Sequence, residues 1–569
     1  MPQVIWCPLR GVLLAALSWP AVGLAQPMGL QQDMMQPGVL QPMGSAQTGI
    51  GAGRAGLRQQ VEGLFKAPAD ESALTEGNAP DEEGEAEKKI APAWQISPSI
   101  GLAGAWTDAA PAGGGKARDS WIGVFEPTLL VNANADRIRG TINLAPTLQY
   151  YTNVSGQNGF DNNFDANAHL ILWPEHAFID LQGFGVVQST LGGVGPSGTT
   201  ILNRQSANQT YSFAATPYLR EQFGDILTAE IGTRLSYTSQ DPLSKTLSTT
   251  AASSNSYEYM NSLREFMVLA LGPAFGRTSA ALTASATQMD GTGVSQNAHR
   301  NTILLDLGYG ITRSFTVLAT TGYEDIAYHT VPPYRVNEGV WRGGFRWAPK
   351  PDSSVIVTYG RQYGVTALRL DSSYAVTERL RFYARYSEDV TSALQDLQDA
   401  VNSSILDPFG NPVDPVTGAP LLLSNNFFGS QLNNVLYRTT NGSVSAALLF
   451  DRDTIALTGT YRRQKPIGFA PNSGPRFNFA PGRDLLGSIR WEHDVNSNLR
   501  LNTFLEYGTR SGTNSTKAGD TNLFVGSVSV TYALSDATRL RLQYSYSNEP
   551  TGLSKGVTNI VTVGIRNDL

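Results

Sequence analysis

The stretch Trp341 to Gly364 reads WRGGFRWAPKPDSSVIVTYGRQYG. Its first half sets Trp341, Gly343, Phe345 and Trp347 on one parity against Arg342, Gly344, Arg346 and Ala348 on the other. A proline-bearing turn follows, and the second half alternates again, with Val355, Val357 and Tyr359 against Ser354, Ile356, Thr358 and Gly360. Successive side chains of a strand leave opposite faces, so period 2 on both sides of a turn is a β-hairpin. One of its faces is aromatic and the other carries arginine. The aromatic face would cover a core in a soluble sheet and meet lipid in a membrane barrel, and the hairpin alone does not choose.

The rest of the chain does. From Trp94 to Leu569 similar segments of about ten or more residues follow one another. Leu380, Phe382, Ala384 and Tyr386 oppose Arg379, Arg381, Tyr383 and Arg385. Leu485, Gly487, Ile489 and Trp491 oppose Asp484, Ser488, Arg490 and Glu492, and Leu540, Leu542, Tyr544 and Tyr546 oppose Arg539, Arg541, Gln543 and Ser545.

The links between segments alternate in length. Short turns fall near Ala135, Pro174, Gly224, Gly276, Arg313, Lys350, Thr377, Arg452, Val495 and Asp536. Between them lie longer polar links such as DAAPAGGGKARDS, STLGGVGPSGTTILNRQSAN and SQDPLSKTLSTTAASSNS, the longest spanning about 391–431. The link at Gln362-Tyr363-Gly364 is short where the pattern asks for a long one. Short periplasmic turns and long outer loops are the habit of a bilayer-spanning barrel, and a soluble sandwich or propeller has no reason to sort its links. The fold class expected is all-β: a transmembrane antiparallel up-and-down β-barrel of about 22 strands (range about 18–24), with both termini periplasmic. An arginine facing lipid at the midplane costs roughly 2–4 kcal/mol, so the charges fix the register. Trp341, Trp347 and Tyr359 face lipid, and the arginine parity faces a water-filled lumen.

Residues 1–25 read as a secretory signal peptide, with Arg10, an apolar Gly11 to Trp19 and a small-x-small site at Gly23-Leu24-Ala25. That apolar run is too short to cross a hydrocarbon core of ~30 Å. Residues 26–93 form a low-complexity, disordered periplasmic arm, with a possible short amphipathic helix on Leu57, Val61, Leu64 and Phe65. Residues 94–569 are the barrel. No folded plug domain precedes it, which disfavours a TonB-type receptor.

A net charge of -6 gives no basic footprint for nucleic acid. The single cysteine, Cys7, lies in the signal, so the exported chain is expected to have no disulfide and no thiolate metal site. His169, His176, His299, His329 and His493 show no metal-ligand spacing, and no nucleophile elbow or phosphate loop is present. No metal, no cofactor and no enzymatic activity are expected. A lipid-active enzyme would need a Ser/His pair near the lipid boundary, and nothing singles one out.

The informative chemistry is on the luminal parity. Arg342, Arg346, Arg369, Arg379, Arg381, Tyr383, Arg385, Arg490, Arg539 and Arg541 are the candidate lumen-lining residues for an anionic solute, with Arg462 and Arg500 continuing the theme. The structural alternative is a cross-strand charge ladder, with arginines paired to Asp371, Glu492 and Glu506. Within the long link, Leu394, Leu397 and Val401 suggest a short helix, either a constriction folded into a wide lumen or a surface feature.

WQISPSIGLAGAWTD at 94–108, GYEDIAY at 322–328, the opening hairpin and RYSEDVTS at 385–392 together resemble the outer-membrane barrels associated with PEP-CTERM and exosortase systems. The resemblance covers about 94–569. Ala109 stands where an Asn is expected after Asp108, and Leu569 stands where such barrels end in Phe, though it shares a parity with Val561, Val563 and Ile565. The resemblance implies a role in exopolysaccharide production or export and transfers no catalytic residue. The function expected is a channel in the cell outer membrane passing exopolysaccharide or other anionic or sugar solutes without catalysis. The alternative is a sealed surface scaffold. Expected partners are outer-membrane lipid, the barrel assembly machinery and an anionic oligosaccharide, with the barrel a monomer.

Overall fold

The structure, a computed structural model, describes residues 93–111, 116–189, 207–243, 257–350, 353–392, 435–471, 482–511, 520–548 and 557–569, with 394–396, 398, 405–406 and 412–413 inside the longest link. The signal peptide and nearly all of the N-terminal arm lie outside the described residues, as do most of the link segments near 190–206 and 244–256.

The described chain forms a closed antiparallel barrel of 22 strands. They are β1 (Trp94–Pro111), β2 (Ala117–Ala135), β3 (Ile138–Leu144 continued by Thr147–Tyr151), β4 (Gly159–Asp161 continued by Phe164–Trp173), β5 (Ala177–Ser189), β6 (Ala207–Phe223) and β7 (Leu227–Pro242). Next come β8 (Glu258–Leu271), β9 (Thr278–Gly291), β10 (Ala298–Gly310), β11 (Phe315–Tyr328), β12 (Tyr334–Lys350), β13 (Ser353–Gln362), β14 (Val365–Thr377) and β15 (Leu380–Ser392). The series ends with β16 (Val435–Leu449), β17 (Asp453–Phe469), β18 (Gly482–Asp494), β19 (Leu499–Ser511), β20 (Asp520–Ala533), β21 (Thr538–Ser547) and β22 (Thr558–Asp568). Each strand pairs with its sequence neighbours, and β1 closes on β22 from Ser99 opposite Asp568 to Thr107 opposite Ile560. Closure removes both sheet edges, so every strand has partners on two sides.

The alternation read from the sequence is the alternation of the wall. Trp341, Phe345, Trp347 and Tyr359 are exposed on the outside, as are Leu485, Ile489, Leu540, Leu542 and Tyr544. Their opposite parity is enclosed: Asp484, Glu492, Gln543 and Ser545 are buried. Outer aromatics pair across strands, Trp347 stacking on Tyr374 at 5.9 Å and Trp341 meeting Tyr359 edge-on at 6.2 Å. This is an apolar girdle around a polar interior, the form of an outer-membrane barrel.

The strands run beyond the bilayer. β12 has 17 residues, which at about 3.3 Å each and a tilt of roughly 40° rise about 43 Å, well over an apolar band of about 25 Å. This corrects the reading of DAAPAGGGKARDS as a loop: the β1–β2 ladder continues through it to Pro111 opposite Ala117, and the link shrinks to 112–116. A strand outside lipid needs no lipophilic parity, so the composition there looks loop-like.

Luminal glycines let neighbouring strands approach. A Cβ added to Gly360 would lie 2.1 Å from the Trp341 carbonyl oxygen and 2.4 Å from Arg342 Cα. Gly360→Ala is therefore expected to destabilise the barrel by about 1–3 kcal/mol, read as a lower urea midpoint of the refolded chain. Gly343→Ala, with nothing within 4 Å, serves as the neutral comparison.

Candidate functional site: the lumen wall and its cap

Register brings most of the luminal arginines to carboxylates. Asp371 lies opposite Arg385 in the β14–β15 ladder, and the two side chains are 3.3 Å apart. Arg369, one inward position away from Asp371, reaches Asp389 of β15 at 3.2 Å. Arg342 of β12 stands 3.6 Å from Asp306 of β10. Arg500 joins Glu492 at 3.5 Å and Asp494 at 2.7 Å, and Arg539 joins Asp568 at 3.1 Å. Arg490 sits 5.8 Å over the Phe504 ring.

Arg381 and Tyr383 are only 7% exposed, side by side on the inner face of β15 and hydrogen-bonded to each other. Arg541 lies near Glu126 across the seam. Arg346, opposite Thr316 and Ile356, has no hydrogen-bond or ion-pair partner among the described residues. Arg379 requires correction. It lies in the turn between β14 and β15, 61% exposed beside Asp451, because the alternation was carried one residue past the strand end.

The wall also holds a tie the sequence did not reveal. Arg566 of β22 bonds Ser99 of β1 and lies 3.5 Å from Glu126 of β2 and 3.6 Å from Asp568. It spans the seam, where chain ends some 450 residues apart in sequence meet.

At the end opposite the short turns, several links fold toward the axis. Leu394, Gln395, Asp396 and Gln398 are helical; the Tyr328 hydroxyl donates to Gln395 Oε1 at 2.8 Å, and Asp396 pairs with the inward Arg462. The helix is thus inside the lumen, in line with the constriction reading of that link. Leu397 and Val401 lie outside the described residues.

The short β13–β14 hairpin also reaches inward. Tyr363 and Gly364 take φ of 57° and 69°, the left-handed values of a tight two-residue turn. The Gly364 N–H donates to Glu324 Oε1 at 3.1 Å, and the Tyr334 hydroxyl donates to the Tyr363 carbonyl at 2.7 Å. The Arg300 guanidinium lies 3.7 Å from the centre of the Tyr363 ring, a cation–π contact from β10. Glu324 is fully buried, and its Oε2 has no hydrogen-bond partner.

Two further contacts complete this cap. Val331, in the β11–β12 link, forms a β-bridge with Phe469 at the end of β17, with N–O distances of 2.7 and 3.1 Å. The turn Gly293–Ser295, with Val294 buried, packs against β16. Beneath them Met260, Met289, Ile326, Val336, Val365 and Leu394 form one apolar cluster. Links from β9 to β16 thereby close over part of the mouth.

Among the described residues no group of three or more His, Cys, Asp or Glu side chains is placed to hold a metal. His169 meets Asp180 at 2.6 Å, His176 meets Glu221 at 2.6 Å and His493 meets Asp453 at 2.8 Å, each a single partner.

No known family matches the chain, and no curated protein does. Solved structures do. The iron transporter FrpB of Neisseria meningitidis (F5-1 variant, apoprotein) is 9% identical with a TM-score of 0.46, over 84% of this chain and 82% of that one. The ferric-catecholate import receptor Fiu of E. coli K12, open form, is 11% identical with a TM-score of 0.43, over 83% and 81%. A mutant of the ferric enterobactin receptor PfeA of Pseudomonas aeruginosa is 8% identical with a TM-score of 0.41, over 84% and 80%. The likeness is one of barrel architecture, already plain from the strand register, and brings no ligand to this chain.

Proposed function

We propose that the chain is a channel of the cell outer membrane, capped on the outer side, that passes an anionic or sugar-like solute without covalent chemistry. In this reading the short turns are periplasmic and the cap faces outward. One observation carries it: the cap is held by one β-bridge, a few hydrogen bonds, one ion pair, one cation–π contact and an apolar cluster, none of them part of the ladder that closes the wall. A permanently sealed barrel needs no closure confined to one rim. Exopolysaccharide is the sharpest form of the solute, supported by the resemblance alone.

The sealed scaffold is favoured by a different observation, the pairing of Arg342, Arg369, Arg385 and Arg539 with carboxylates. Conductance of the refolded chain in planar bilayers separates the two, with neutral or acidic oligosaccharide added to one side. Block by the acidic sugar alone supports an anion path, and silence in every condition sinks it. Arg346→Gln is expected to lower the anion-over-cation permeability ratio about two- to fivefold, because Arg346 has no carboxylate to cancel its field. Arg385→Gln should change it less, since Asp371 stands beside it.

A further inference from the structure

We infer that the outward face of β16–β18 holds the phosphate of a phosphorylated lipid headgroup in the outer leaflet. The inference rests on the orientation given above and on nothing else in the proposed function.

The ladder between β17 and β18 alternates in an unusual way. Arg462 lies opposite Asp484 on the inner face, an attractive pair. One residue on, Arg463 lies opposite Arg483 on the outer face. Like charges directly opposite on one face repel. Lys465 stands one outward position beyond Arg463, opposite Arg438 of β16. Arg463 and Lys465 are exposed and have no side-chain partner among the described residues, and the one carboxylate at the patch, Glu388, is held by Arg438 at 2.6 Å. Among the described residues of these three strands, Arg463 and Lys465 are thus left without an acid beside Arg438 and Arg483, which have contacts of their own.

The height of the patch says what would neutralise it. Asp453 begins β17 and takes the Trp491 indole N–H at 2.9 Å, marking the short-turn edge of the girdle. Ten residues separate Asp453 from Arg463, about 33 Å along a strand and roughly 25 Å across the membrane at the usual tilt, the depth of the apolar band. Immediately below the cations the outer face is apolar, with Tyr461, Leu485, Tyr507 and Val444. Arginine pairs with phosphate through parallel N–H···O bonds. A lipid phosphate at this level meets the cations while its acyl chains lie on the surface beneath.

The patch is local. On the far side Glu265, Ala286, Asn301, Asp325 and Asn337 form a row through β8–β12, ten residues above Trp347 at Asn337, and it is neutral to acidic.

The test uses the full exported chain, stripped of lipid in detergent, and native mass spectrometry with three probes: bisphosphorylated lipid A, the same lipid dephosphorylated, and inorganic phosphate. The phosphorylated lipid should be retained, the dephosphorylated form about tenfold less, and phosphate should not displace it. Arg463→Gln/Lys465→Gln should cut retention about tenfold or more, while Glu265→Gln leaves it unchanged. In lipid-free detergent the double variant should melt no lower than the parent, since it loses a repulsion, so weak retention is not misfolding. Equal retention by parent and variant, or by both lipids, overturns the assignment. Displacement by free phosphate makes it a simple anion site and overturns the lipid. Retention does not depend on conductance, so a silent channel leaves this result standing.

Discussion

Oxidation of a Val331→Cys/Phe469→Cys variant is expected to abolish conductance, at least tenfold below the reduced form, and reductant to restore it. Val331 and Phe469 exchange both backbone hydrogen bonds of their bridge, a pairing with Cα atoms about 5.5 Å apart, within reach of a disulfide. The only native cysteine is Cys7, so a Cys7→Ser background leaves no other thiol to compete. The locked form should hold the rim shut, and the reduced form should let it part. A second variant asks the same question from the other side. Glu324→Ala/Tyr334→Phe removes both hydrogen bonds to the hairpin tip and is expected to raise conductance above the parent. Equal conductance in the oxidised and reduced forms, with the disulfide verified by mass, would take the cap off the solute path.

Arg566→Met is expected to cost about 3 kcal/mol, the largest single-residue effect on the wall. Arg566 is 12% exposed and Glu126 is 29% exposed, and removing Arg566 leaves the partly buried Glu126 without its hydrogen-bonded partner, with only Arg541 nearby. Urea unfolding in detergent, followed by the gel shift of the folded barrel, measures it. Glu126→Leu/Arg566→Met should recover much of the loss, because the stranded carboxylate is gone. A loss below about 1 kcal/mol would mean that luminal water or Arg541, rather than Arg566, carries Glu126.

The barrel was legible because its signals are local. Period 2, the charge parity and the short turns each sit within a few residues, and the strand count followed from them. The luminal direction of Arg342, Arg346 and Arg385 was legible for the same reason. Their partners were less so, since the Arg342–Asp306 pair depends on two strands that are not neighbours in the sheet. The cap was hidden for a stronger version of this reason. Nothing around Glu324 announces Gly364, and nothing around Val331 announces Phe469, because links fold inward through contacts between distant positions. The short Gln362-Tyr363-Gly364 link was visible as an irregularity, yet its meaning required the three dimensions. Arg379 failed at a boundary, where alternation continues in the sequence after the strand has stopped.

The bridge between Val331 and Phe469 joins two points of the rim with β12 to β16 looped between them. A ring pinched in this way has two bays: a small one, floored by the hairpin tip and the helix, and a large one bounded by β17–β22 and β1–β11. Strand number then sets the girth of the wall, while contacts between inward-folded links, the bridge among them, shape the mouth. The two become independent quantities, and substitutions near positions 331 and 469 can resize the entrance without adding or removing a strand.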